Sequence, residues 1–246
     1  MTARAAAGST PPLVVRRLKA WYGRAQILFD VDLEVGDGEV VALMGRNGAG
    51  KSTALKSIMG LLDRDRVQGD IWLDGAPIRG EPPYRICRRG LGYVPEDRRV
   101  FSELTVLQNL AVGRQPVRAG APHWTVEGLF KLFPNLAEMP DRPGGRMSGG
   151  EQQMLTVART LMGNPRVLLL DEPSEGVAPV IVERMADAIL ALKRQGLSVL
   201  LSEQNLHFAG LVSDRAYVLE KGQVRFSGSM KALMDDTALR RDYLAV

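Results

Sequence analysis

A single cysteine, Cys87, occurs in 246 residues, so no disulfide can form within the chain. Its apolar, helix-like setting points to an inert thiol rather than a nucleophile. No stretch comes near the ~20 consecutive apolar residues that a membrane-crossing helix needs. The first ten residues, rich in Ala and Thr, lack the apolar segment of a signal peptide and are expected to fray. Charge is nearly balanced: 32 Lys and Arg against 28 Asp and Glu leave a net +4. A nucleic-acid binder more often carries a concentrated basic stripe. The nearest thing to one, Arg85, Arg88 and Arg89 with Arg98-Arg99, reads as a solvated or partner-facing helix. No nucleic acid is therefore expected as a partner. No internal repeat is visible.

What is present is more specific. Gly45-Arg46-Asn47-Gly48-Ala49-Gly50-Lys51-Ser52, followed by Thr53, fits the spacing G-x-x-x-x-G-K-[ST] of a phosphate-binding loop. Its glycines let backbone N–H groups turn toward an anion with no Cβ in the way. The helix that follows adds its positive N-terminal end. Lys51 supplies a point charge for the β- and γ-phosphates, and the Ser52 hydroxyl can ligate Mg²⁺. Val40–Met44 ahead of the loop reads as a buried strand. Ala54, Leu55, Ile58, Met59 and Leu62 behind it keep helical spacing. The motif thus sits in the strand–loop–helix context it requires.

A second phosphate-facing helix start lies about one hundred residues on, at Met147-Ser148-Gly149-Gly150-Glu151-Gln152-Gln153. Ser-Gly-Gly alone is common in loops. Here Met154, Leu155, Val157, Ala158, Leu161 and Met162 form one helical face behind it, ended by Gly163-Asn164-Pro165. One nucleotide needs one cradle, so the second element is expected to face a nucleotide held by another copy or partner. Val167-Leu168-Leu169-Leu170-Asp171-Glu172 follows, an apolar run closed by two acids, as expected of a buried parallel strand with its functional groups at the C-terminal edge. Asp171 is expected to hold Mg²⁺ through water and Glu172 to polarise an attacking water.

At this length, with 45% hydrophobic residues, the chain can bury a large core. Strands are expected at Leu13–Ala20, Ile27–Val35 and Gly69–Leu73, with turns at Gly36-Asp37-Gly38 and Asp74-Gly75. Residues from about 84 to 164 change character, with helical patterns at Val106, Leu107, Leu110 and Ala111 and at Val126, Leu129, Phe130 and Phe133. They read as a helical subdomain inserted into the sheet domain. Strands at 166–170 and 197–202 around a helix at about 179–195 make a βαβ unit, and Ala216–Glu220 with Gln223–Phe226 a closing hairpin. The expected fold is α/β: a P-loop ATPase core with a mixed or parallel sheet, an antiparallel β part and the inserted helices. Residues 1–12 are expected to be a flexible terminus and 13–246 a single domain.

The two glycine-bearing elements together resemble the ABC ATPases, motor subunits of ATP-driven transporters, from about Leu13 to the C-terminus. Within that family the chain is similar to ATP-binding subunits of branched-chain amino-acid importers. The residues carrying this likeness are Gly92-Tyr93-Val94-Pro95-Glu96, Arg98-Arg99-Val100-Phe101, Leu104-Thr105-Val106, Met147 to Leu155, Asp171-Glu172-Pro173-Ser174, Ala178-Pro179, Glu203-Gln204-Asn205 and Tyr243-Leu244. The resemblance implies ATP and Mg²⁺ as cofactors, ATP hydrolysis coupled to import, and a head-to-tail dimer with a second ABC ATPase subunit. It further implies membrane permease subunits, an external solute-binding protein, and a peripheral place on the cytoplasmic face of the membrane. Lys51, Glu172 and Gln204 would be catalytic, Ser148, Gly149, Gly150 and Glu151 would act in trans, and Ser52, Asp171 and Glu96 would form the metal set. Tyr22, before Gly23, would stack on adenine, with Trp21 as the runner-up.

Several positions depart from the family pattern. Glu96 stands where the broad family has Gln, and Asp97 where this branch more often has Gly. Ser174-Glu175-Gly176-Val177 lacks an aspartate many members carry. The histidine expected after strand 197–202 is replaced by Gln204. His207 is a rival candidate but falls inside the next helical stretch, and both it and His123 read as surface or packing histidines. Two alternatives stay open: a non-transport ABC regulatory module, and an importer of urea or amides. P-loop kinases and GTPases would lack Ser148-Gly149-Gly150 ahead of a helix.

Overall fold

Alternation of apolar and polar side chains fixes the first strands. In β1 (Leu13–Tyr22), Leu13 and Val15 point into the core, then Leu18 and Ala20. The step of three between Val15 and Leu18 is a β-bulge, with Arg17 at a φ of 50° and a register shift against β2 (Ala25–Val35). In the computed structural model, which describes residues 10–244, β1 also pairs with β4 (Val67–Leu73), and the two-residue β5 (Ala76–Pro77) completes an antiparallel sheet ordered β2-β1-β4-β5. Residues 1–9 of the expected flexible terminus lie outside the described residues. Pro12 is already anchored, its carbonyl accepting from Asp74 N–H at 2.8 Å.

The second sheet is the larger. It is ordered β10-β9-β3-β8-β7-β6, with β3 (Val40–Met44), β6 (Leu91–Val94), β7 (Val167–Asp171), β8 (Ser198–Glu203) and β9 (Arg215–Glu220) parallel and β10 (Gln223–Ser229) antiparallel at the edge. The continuous apolar runs of β3, β7 and β8 follow from burial on both faces. Leu169 enters the core shared with the antiparallel sheet, while Leu168 and Leu170 enter a core built with the helices.

Ten α-helices are described: α1 (Lys51–Ile58), α2 (Pro83–Arg89), α3 (Val106–Gly113), α4 (Val126–Leu132), α5 (Pro134–Ala137), α6 (Gly149–Leu161), α7 (Pro179–Arg194), α8 (Leu206–Val212), α9 (Met230–Asp235) and α10 (Thr237–Leu239). The stretch expected to be a helical insertion over 84–164 contains one strand of the main sheet, since β6 pairs in parallel with β7 from Leu91↔Val167 to Val94↔Leu170. Helix α2 precedes that strand, and the remaining helices of the stretch, α3 to α6, follow it. The short run Leu-Gly-Tyr-Val gives too little periodicity to reveal a strand, and only pairing with β7 makes it one. A third, smaller core lies beneath the phosphate loop, where Met44, Leu206, Val218, Leu233 and Leu244 meet.

Candidate nucleotide-binding site

The parallel register of β3, β8 and β7 sets three C-terminal edges in one row: Leu43 lies opposite Ser202, and Ser202 opposite Asp171. The loop 45–50 leaves the end of β3 and turns into α1 through Gly50, whose φ of 108° is a left-handed conformation that L side chains rarely adopt. A Cβ there would also sit 2.8 Å from Leu28 Cδ2. In front of this loop is a cleft of about 390 Å³ lined by Tyr22, Ile27, Asn47, Gly48, Gly50, Lys51, Ser52, Thr53, Glu96, Glu172 and Glu175. Tyr22, 48% exposed at the rim, offers a free ring face.

Two contacts join the loop to the end of β7. Ser52 Oγ donates to Asp171 Oδ1 at 3.0 Å, and Lys51 Nζ lies 3.0 Å from Glu172 Oε1. Lys51 and Glu172 are both buried, 3% and 6% exposed. The same ammonium donates to the carbonyls of Gly45 at 2.9 Å and Arg46 at 3.3 Å. Asp171 is held from two further sides, by Ser202 Oγ at 2.6 Å and by Tyr93 Oη at 3.1 Å. Burial and the Asp171 charge push the Tyr93 phenol well up, so it remains a donor. Ser52 and Asp171 are hard oxygen donors on one side of the cleft, a fit for Mg²⁺. Among the described residues no three His, Cys, Asp or Glu side chains converge on a metal. A cation here would complete its shell with phosphate and water, as Mg²⁺ does.

Glu172 has φ 46°, and its Oε2 is buried with no hydrogen-bond partner among the described residues. Glu175 stands beside it. The neighbouring Glu172 carboxylate, some desolvation at this exposed position, and the charges of Glu96 and Glu203 push the Glu175 carboxyl up to about 7. Glu203, 1% exposed at the end of β8, accepts N–H groups from Ser174, Gln204 and Asn205 at 3.1, 3.0 and 2.9 Å. It ties the segment after β7 to the end of β8.

The structure thus brings Tyr22, Asn47, Gly48, Gly50, Lys51, Ser52, Thr53, Glu96 and Glu172 into one cleft, with Asp171 bonded to Ser52 at its wall. Gly45 and Arg46 contribute carbonyls to Lys51, and the Arg46 side chain turns toward the carbonyl of Arg241 at 3.4 Å. Ala49 is buried beneath the loop, and Gln204 is exposed one residue past β8, outside the lining. His207 lies on α8, exposed. The second motif lies outside the cleft lining as well. Ser148 caps α6 in a reciprocal box: its hydroxyl oxygen accepts Glu151 N–H at 3.3 Å, and Glu151 Oε2 accepts Ser148 N–H at 2.7 Å. The Glu151 carboxylate is therefore engaged locally. Tyr93 and Glu203 belong to the segments that carry the family likeness but have no role assigned from sequence, and Ser202 is not among them; the signal available was a polar residue at or near the end of each apolar strand.

A strand, a glycine loop and a helix facing a buried Asp-Glu strand end define a P-loop nucleoside triphosphatase. The sequence pattern of the ABC transporter family matches residues 28–175, more than half of the chain, and the chain belongs to that family. It is an ATPase subunit. It is 42% identical over 93% of its length to BraG of Pseudomonas aeruginosa, a high-affinity branched-chain amino acid transport ATP-binding protein, covering 97% of that protein. It is 38% identical to the probable branched-chain amino acid transport protein LivF of Archaeoglobus fulgidus, covering 89% of this chain and 92% of that one. The lipopolysaccharide export ATP-binding protein LptB of Haemophilus influenzae is 34% identical, covering 94% of this chain and 96% of that one. The ADP conformation of an ATP-binding cassette of an ABC transporter superposes with a TM-score of 0.78 at 27% identity, covering 95% of this chain and 98% of that chain.

Proposed function

We propose that this ATPase powers import of branched-chain amino acids, together with a second ABC ATPase subunit, membrane permeases and an external solute-binding protein. Its place would be the cytoplasmic face of the membrane, as a peripheral subunit. Among the described residues no helix is long and apolar enough to cross a membrane, so the pathway for the solute would belong to other chains. The 42% identity to BraG across 93% of the chain carries the choice of solute.

In this reading Tyr22 stacks on adenine, and the loop from Gly45 to Ser52, with Thr53, cradles the phosphates. Mg²⁺, when bound, would neutralise charge between the β- and γ-phosphates, held by Ser52 and Asp171 with Glu96 nearby. Ser202 and Tyr93 orient Asp171 for that role. Lys51 is shared: the ammonium that would meet the phosphates is the one now paired with Glu172. Phosphate competes for Lys51, and an ammonium drawn toward phosphate leaves Glu172 free to accept a proton from water. Nucleotide entry and release of the base are thereby linked. Gln204 would donate a hydrogen bond from its side-chain amide to a γ-phosphate oxygen. Ser148, Gly149, Gly150 and Glu151 would close the nucleotide of the partner subunit.

The test is co-purification of the tagged chain from membranes, followed by ligand binding to the associated solute-binding protein. Leucine, isoleucine or valine bound there supports the reading. Permeases of a lipid-export system, with no solute-binding protein, would replace it with the activity named for the LptB relative. Urea or an amide as ligand would replace the solute alone.

A further inference from the structure

The segment that leaves β6 turns sharply at Arg98, a non-glycine residue with a φ of 60°. Its backbone is fastened to α6, with the Arg98 carbonyl accepting from Thr156 Oγ1 and the Arg99 carbonyl from Arg159 Nη2 at 2.7 Å. Its side chain goes elsewhere. Arg98 Nη2 donates to the carbonyls of Glu175 and Gly176, both at 3.2 Å. Arg98 Nη1 lies over Gly149, so close that a Cβ on that glycine would stand 2.2 Å from it. A cation at the start of a helix opposes the helix dipole. The two carbonyls of the 175–176 turn, not α6, therefore hold the guanidinium in place. Among the described residues no hydrogen bond runs directly from α6 to the segment 172–178.

We propose that Arg98 is a positioning residue that locks the turn Glu172–Gly176 to the first turn of α6, so that the base and the Ser148-Gly149 helix start move as one unit. This rests on the reading of Glu172 as base and of Ser148-Gly149 as the surface that closes a partner's nucleotide. The base of one site and the closing surface offered to the other site are then joined through one side chain, and the two nucleotides of a dimer report to each other. The planar fork lets Nη2 meet the two carbonyls while Nη1 stays over Gly149, and the compact ammonium of a lysine cannot span both places.

The test compares Arg98→Ala, Arg98→Lys and Glu172→Gln in the full chain, by steady-state hydrolysis and by ATP affinity of the monomer. Arg98→Ala is expected to lower kcat about tenfold, with KM and monomer ATP affinity within about twofold of wild type. Arg98→Lys is expected to fall between the two. A role confined to general stability would move Tm and ATP affinity along with kcat, and that joint loss overturns the proposal. So does a kcat for Arg98→Ala within about twofold of wild type while Glu172→Gln is inactive. Full turnover in Glu172→Gln would instead remove the base reading, and the proposal with it.

Discussion

Lys51 and Glu172 form an ion pair that is nearly dry at 3% and 6% exposure, yet the proposed reaction needs both groups. Removing one partner of such a pair strands the other. Lys51→Ala should therefore lose ATP affinity and also about 3 kcal/mol of stability in urea denaturation. Adding Glu172→Gln to it should return part of that stability, because the stranded charge is gone. No recovery in the double variant would mean that the pair contributes nothing to the fold. Glu172→Gln alone keeps the volume and removes the base, so turnover should drop roughly 10²–10⁴-fold while ATP still binds. Turnover close to wild type excludes Glu172 from the chemistry. Glu175 gives the residue scale its pH dependence. Its carboxyl titrates at about 7, against an ordinary value of 4.5. The folded chain thus holds this proton more tightly than the unfolded chain. The stability it contributes is complete below pH 4.5 and is lost as pH rises through about 7. Glu175→Gln should flatten that loss, read as urea midpoints across the window. An unchanged slope would show that Glu175 does not carry the proton.

Elements dock the loop as much as its own motif does. The hairpin turn between β9 and β10, Lys221-Gly222, has φ values of 46° and 76°, the pattern of a type I′ turn. Gly222 N–H donates to the Ala49 carbonyl at 2.9 Å, and its own carbonyl accepts Phe29 N–H at 2.8 Å. The turn therefore clips the phosphate loop to the antiparallel sheet. A Cβ on Gly222 would stand 1.8 Å from the Ile27 carbonyl oxygen. Gly222→Ala should cost clearly more than the ~1 kcal/mol of strain alone and should weaken ATP binding. Gly196→Ala is the control, with a φ of 83° and nothing within 4 Å of the added carbon. Equal losses in the two, measured by thermal unfolding and ATP titration, would show that the clip is unimportant. The βαβ unit and the closing hairpin were legible because their patterns run long enough to show a period. β6 was not, because four residues do not fix one.

At the scale of the whole molecule the second motif lies outside the cleft of its own chain, at the capped start of α6. Ser148→Arg should leave ATP binding to the monomer intact and abolish hydrolysis, because the bulk and charge would fall on the surface proposed to close the partner subunit's nucleotide. A loss of monomer binding equal to that of Lys51→Ala would place the motif in cis. Local sequence signals specify the strand–loop–helix of residues 40–58, the Asp171-Glu172 strand end and the helix that starts after Ser148. Each is a local signal in which spacing, glycine placement and an apolar run suffice. Long-range packing alone makes Ser202 and Tyr93 bracket Asp171, lets Glu203 tie the end of β8 to the turn after β7, and brings Arg98, in the segment after β6, to Glu175 and Gly176. Those contacts join residues about 30 to 80 positions apart. They exist because parallel strands set their C-terminal edges side by side, a consequence of strand order that no local period encodes.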